Sequence, residues 1–211
     1  MNIRLGVYEI FSRIVPGGVY LAAAGQLLVV LGLLKFDIKA ISDISLIASV
    51  GLLLGAYTLG GAFDRLSLTW FRLFERRGTH TRTFEAFKKE HQERWEIDFD
   101  GEDFSLLLAF IRTKNLDLAS EIDRHNAVSI MLRNVSLGLV FLGVNSLLQF
   151  LILRNWIYIF ILLILVGISF LIIQESTTFR VRYYDSIYKT TLAYNIDLKP
   201  PKPVKKLKTK Q

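Results

Sequence analysis

"EIDRHNAVSIMLRNVSLGLVFLGVNSLLQF" spans residues 121 to 150. It opens with four ionisable side chains, Glu121, Asp123, Arg124 and His125, and no proline interrupts it before it turns oily. A helix that begins charged and ends apolar leaves water and enters a bilayer. The stretch therefore reads as a stalk, tying a soluble helical module to a membrane bundle along one continuous rod.

The rest of the chain agrees. Its 211 residues are 52% hydrophobic, with a mean hydropathy of +0.37. The apolar residues come in solid blocks rather than at the spacing of an amphipathic helix or strand. Windows with few or no charges cover Ile14–Leu34, Ile44–Phe63, Asn134–Leu153 and Ile157–Ile173. A spanning helix needs roughly 20 apolar residues, and all four windows meet that length. The first is not read as a cleaved secretory signal, because three further spans follow and no small-residue cleavage site leads into a soluble chain. The expected fold class is all-α, a polytopic membrane protein of four transmembrane helices with a small cytoplasmic helical subdomain. The expected segments are a hairpin over 1–63, a cytoplasmic helical region over 64–127, a second hairpin over 128–173 and a basic tail over 174–211.

Charge sets the expected topology. Of 26 Lys and Arg residues, 23 fall before the first span, in Asp64–Arg133 or after Ile173. Cytoplasmic segments carry such an excess. Both termini and the central segment are thus expected in the cytoplasm of a plasma (inner) membrane protein. The short stretches Lys35–Asp43 and Arg154–Trp156 are left outside.

Within the central segment, "DRLSLTWFRLFERR" reads as a continuation of the second span, with Trp70 and Phe71 at the interface and a break at Gly78. Phe84, Phe87 and His91 share one face of an amphipathic helix. "IDFDGED" reads as a turn, with Asp103 capping "FSLLLAFIRTK", whose apolar face is Leu106, Leu107 and Phe110. "NLD" is a short turn before a helix that starts near Leu116. "TTFRVRYYDSIYKTTLAY" continues the fourth span. "KPPKPVKKLKTKQ" reads as disordered, since its prolines break helices and its lysines repel one another. The tail is expected to hold to anionic lipid or simply to be solvated; no basic fold or aromatic ladder points to nucleic acid.

Four constellations carry the functional expectations. Asn134, Gly138, Asn145 and Gln149 fall on one face of the third span, within about 60° at 100° per residue. Amides are costly in hydrocarbon, so this face meets other helices or lines a pore. Gly51, Gly55, Thr58 and Ala62 share a face of the second span. Their small-xxx-small pattern suits close packing, either within the chain or between subunits of a homo-oligomer. Pro16, at the first turn of the first span, is followed by Gly17 and Gly18, which allow a backbone to approach. Arg133 stands one turn inside the third span. Glu9, Asp64 and Glu175 lie at similar depth as candidate partners, and snorkelling to the interface is the plainer alternative. Together with Glu121, Asp123, Arg124 and His125, Arg133 is a candidate for coupling the soluble module to the bundle.

Signals for catalysis are poor. The chain has no cysteine, which removes thiol chemistry and Cys-type zinc sites. His80, His91 and His125 have no metal-ligand spacing. "IDFDGED" lacks the spacing of a calcium loop, and the buried strand an aspartyl phosphotransferase needs before it. No phosphate loop is present. No enzyme activity, cofactor or metal is expected.

Two stretches, "FSRIVPGGVYL" and "ASEIDRHNAVSIMLRN", resemble parts of small four-helix membrane proteins that accompany bacterial antiviral systems, including CRISPR-associated ones. The resemblance implies an antiviral accessory or effector that oligomerises and perturbs the inner membrane, and it assigns no residue a role. The function expected is thus a non-enzymatic, oligomeric membrane protein forming a gated pore. A membrane scaffold that docks a soluble cytoplasmic partner is the alternative.

Overall fold

The computed structural model describes residues 3–35, 45–75, 78–95 and 97–196. Every regular element among them is helical. The helices are α1 (Ile3–Val30), α2 (Leu46–Ala62), α3 (Asp64–Phe74), α4 (Thr79–His91), α5 (Phe104–Lys114), α6 (Leu116–Leu153) and α7 (Ile157–Ile196), with a 3-10 turn at Gly101–Asp103. The segment Ile10–Val30 of α1 is long and apolar enough to cross a membrane, and so are α6 and α7. If the bent pair α2 and α3 counts as one span, the number is four. The tail "KPPKPVKKLKTKQ" and most of the stretch Lys35–Asp43 lie outside the described residues.

The chain divides into two compact units. The first holds α1 to α3 together with residues 126–179 of α6 and α7. Its helices bear leucines and isoleucines on their outward faces, among them Leu46, Leu54, Leu163 and Leu171. The α1–α2 contact is a backbone contact. A Cβ built on Gly17 would overlap the carbonyl of Ala56, and one on Gly60 would overlap the carbonyl of Arg13. Beside them the Arg13 guanidinium donates to the Tyr57 hydroxyl at 2.9 Å and lies over its ring. Pro16 is in the interior of α1, since the helix begins at Ile3, well before the apolar window. The expectation of Pro16 at a helix start fails there. Gly17 does provide the backbone approach expected next to it.

α2 ends at Ala62, and after Phe63 α3 leaves at 48° to it. Glycine pairs are common kink points, and Gly60–Gly61 stands just before the bend. "DRLSLTWFRLF" therefore does not extend the second span in a straight line. Phe71 is fully buried within the protein, and Trp70 is half-buried. α6 and α7 meet through a turn over Arg154–Trp156, in which Arg154 adopts a φ of +53° and Asn155 caps Ile157.

The second unit comprises α4, the 3-10 turn, α5, the start of α6 and the described part of α7 from Arg180. Gly78 opens it with a φ of +76°, which suits glycine. Phe87 of α4, Leu108 and Ile111 of α5, Ala119 and Ile122 of α6, and Tyr184, Ile187 and Tyr188 of α7 form its core. The Tyr188 hydroxyl donates to the Gly101 carbonyl at 2.9 Å, which satisfies the phenol where it is buried. Gly101 sits so close to the Phe84 ring that a Cβ would collide with it.

Two local expectations are corrected here. Asp103 occupies the position before α5 but makes no side-chain cap bond; Asp100 instead accepts from the Glu102 amide at 3.2 Å. The buried face of α5 is Leu108 and Ile111, with Leu107 and Phe110 at its margin and Leu106 exposed. The run "FSLLLAFI" offers apolar side chains on nearly every face, so its own periodicity does not select the one that packs.

Candidate functional site

A polar cluster in the first unit gathers at the bend between α2 and α3. The bend delivers Asp64 as the first residue of α3, where the helix N-terminus favours a carboxylate. Arg133 of α6 donates from Nη2 to Asp64 Oδ1 at 2.6 Å. The neighbouring Asn134 donates from Nδ2 to the same oxygen at 3.2 Å. Tyr20 of α1 closes the group by donating its hydroxyl to the Asn134 carbonyl at 2.9 Å. Its ring also packs in a trio with Phe63 and Phe141. Three helices and the bend thus share one ion pair in largely apolar surroundings.

Arg133 is 8% exposed, and of its candidate partners Asp64 is the one it pairs with. Glu175 is exposed on α7, and the Glu9 side chain lies outside those described.

On either side of this group along α6, reciprocal serine pairs join α6 to α7. Ser129 donates to the Ser176 carbonyl at 2.9 Å, and Ser176 returns a bond to the Ser129 carbonyl at 2.8 Å. One heptad on, Ser136 and Ser169 repeat the arrangement at 3.0 and 2.9 Å. One heptad further, Gly143 faces Leu162 across the same seam. The Trp70 indole donates to the Ser136 hydroxyl at 3.1 Å, which adds α3 to the seam. These serines were not singled out from the sequence. Their signal is a small polar residue at heptad spacing on both helices, in opposite order.

The expected polar stripe packs largely against α1. Asn134 is fully buried. A Cβ on Gly138 would come within 2.7 Å of Val19. Asn145 donates to the Ala23 carbonyl at 2.7 Å. Gln149 is half-buried. The small-residue face of α2 is different. Gly51 has open space around the position of a Cβ, and Gly55 only grazes Leu21. Thr58 is exposed and bonds back to the Leu54 carbonyl, and Ala62 is exposed. That face is not the α1–α2 contact; Ala56 and Gly60, on the adjacent face, make it.

The remaining coupling candidates belong to the second unit. Asp123 pairs with Arg112 of α5 at 2.7 Å, and Glu121 lies 3.8 Å from Arg124. His125 is more than two turns before Asn134, outside the apolar segment. Burial holds its imidazole below its ordinary pKa; Arg124 and Arg182 act in the same direction and Glu121 against them. Among the described residues no three His, Asp or Glu side chains stand close enough to hold a metal ion.

No family model, curated protein or solved structure matches the chain. The resemblance carried by "FSRIVPGGVYL" and "ASEIDRHNAVSIMLRN" therefore stands on those stretches alone.

Proposed function

We propose that this is a non-enzymatic membrane scaffold. Its apolar helices anchor it, and its second unit presents a helical surface to a soluble cytoplasmic partner. The observation that carries this reading is where the polar side chains of the apolar helices spend their bonds. Asn134, Asn145 and the four seam serines all bond within the chain. Amides so engaged need no water-filled path, which favours a closed bundle over a pore. The second unit has its own aromatic core, as a module built for docking requires.

The topology proposed with it has four spans, with the second ending at the bend. Both termini and the second unit lie in the cytoplasm, following the Lys and Arg distribution. The native chain lacks cysteine, so single substitutions report cleanly. Asn155→Cys should react with a membrane-impermeant thiol reagent added to intact cells, and Glu85→Cys should not. Purified protein in liposomes should pass no ion current. A current that Asn145→Asp alters in selectivity would replace the scaffold with the pore, because a charge in a conducting path changes which ions pass.

A further inference from the structure

α3 turns by 48° at the end of an apolar helix, and its contacts with the long helices then stay within about one turn of each. Its first residue, Asp64, meets Arg133 and Asn134. Two turns later Trp70 bonds Ser136, and its last residue, Phe74, packs on Phe170 at 6.0 Å. Phe170 is next to Ser169, the partner of Ser136. Over its length α3 advances about 15 Å along its own axis. Over that distance its partners on α6 and α7 do not move beyond the level of Arg133–Ser136. α3 therefore crosses the long helices instead of following them. It does so where their apolar segments, Asn134–Leu153 and Ile157–Ile173, reach their charged ends.

The outward side of α3 is divided in two. Arg65, Thr69 and Arg72 share one exposed strip, with the arginines a heptad apart. Leu66 and Leu73 form the next strip, 47% and 72% exposed. Guanidinium groups beside exposed leucines, on a helix lying at the boundary of an apolar bundle, match the headgroup-to-acyl transition of a lipid leaflet. Guanidinium also suits phosphate, which it can bind through two parallel hydrogen bonds.

We propose that α3 is an interfacial helix that binds anionic phospholipid, with Arg65 and Arg72 on the headgroup phosphates and Leu66 and Leu73 among the first carbons of the acyl chains. The proposal rests on insertion of the bundle in a bilayer, and the test reports insertion separately. Single-cysteine variants Leu66→Cys, Thr69→Cys, Leu73→Cys and Leu163→Cys carry a nitroxide in vesicles of phosphatidylcholine and phosphatidylglycerol. Power-saturation spectra then compare oxygen with a water-soluble nickel chelate.

The Leu163 label, on the outward face of α7, should favour oxygen whatever α3 does; if it favours the chelate, insertion itself fails. With Leu163 inserted, labels at Leu66 and Leu73 should also favour oxygen, and the label at Thr69 should lie shallower. Chelate access at Leu66 and Leu73 equal to an aqueous site overturns the proposal. Shielding of both from both reagents overturns it too, since that marks a protein partner. Lipid retained on the purified protein gives the second arm. Losing both arginines to Gln should lower the preference for phosphatidylglycerol over phosphatidylcholine by about fivefold for each charge removed. An unchanged preference overturns the headgroup assignment.

Discussion

Two helix pairs in the first unit are held by opposite means. α1 and α2 touch backbone to backbone, where Gly17 meets Ala56 and Gly60 meets Arg13. α6 and α7 stand far enough apart for serine side chains to fit between them, each hydroxyl reaching the opposite carbonyl. In lipid, apolar side chains gain little by leaving one apolar surrounding for another, so helices associate through close packing or interhelical hydrogen bonds. The two pairs show the two solutions side by side. The glycine solution depends on the absence of atoms and fails abruptly when one is added. The serine solution depends on bonds of modest worth and is expected to fail by degrees.

The glycine contact predicts the largest effect. Gly17→Leu and Gly60→Leu should each cost about 3 kcal/mol or more, because the new side chain meets a carbonyl that a rigid helix holds in place. Gly18→Leu, with open space around it, is the control and should be nearly silent in the same denaturation midpoint. Equal effects at positions 17 and 18 would break the comparison.

The ion pair at the bend comes next. Asp64→Ala leaves Arg133 buried with its carboxylate partner removed. The expected loss is about 2 kcal/mol, below the usual cost of orphaning a buried charge because the Asp64 side chain is 44% exposed. Asp64→Asn should recover part of it, since an amide oxygen still accepts from both donors. An unchanged midpoint in Asp64→Ala would show that α3 is held by its aromatic contacts and the Trp70–Ser136 bond without the ion pair.

The serine seam is weaker. A double-mutant cycle on Ser136→Ala and Ser169→Ala should give a coupling of about 0.6 kcal/mol and not more than about 1.7 kcal/mol. A coupling near zero would leave shape, not bonding, as the reason for the seam. The smallest effect belongs to Gly51 and Gly55. Replacing both with Leu should alter monomer stability by less than about 0.5 kcal/mol, since among the described residues only the tip of Leu21 comes near that face, 4.0 Å from a Cβ on Gly55. A fall in apparent mass by light scattering would reveal a second copy packed there. An unchanged mass would show that the stripe plays no part in assembly.

The sequence makes much of this architecture legible. Uninterrupted apolar windows mark three of the long helices, Gly78 and Asn115 mark breaks, and α5 begins and ends where "FSLLLAFIRTK" does. Less of the site is legible. Asp64 and Arg133 stand out as charges at membrane depth, but pairing depends on the bend after Phe63, and the helix pattern runs through it with no proline to announce it. For α2, the small residues at Gly51 and Gly55 repeat at four, the expected signature, while the true contact uses Gly60 with a glycine on another helix. A small residue reports that approach is feasible; only the partner's position says where it happens. The seam serines were overlooked because serine is unremarkable inside a membrane helix, where it can bond its own preceding turn.

The repeat of the seam constrains how α6 and α7 move. Reciprocal pairs one heptad apart act as a toothed rack. A slip of one or two residues disengages every tooth at once and sends each hydroxyl back to its own preceding turn. The nearest shift that re-engages even one pair is a full heptad, about 10 Å of sliding. Small piston strokes of one helix past the other therefore break all of these bonds together, which disfavours them against motion of the pair as a unit. Any displacement arriving along it moves both helices together, as one stiff hairpin that tilts or turns about its own axis.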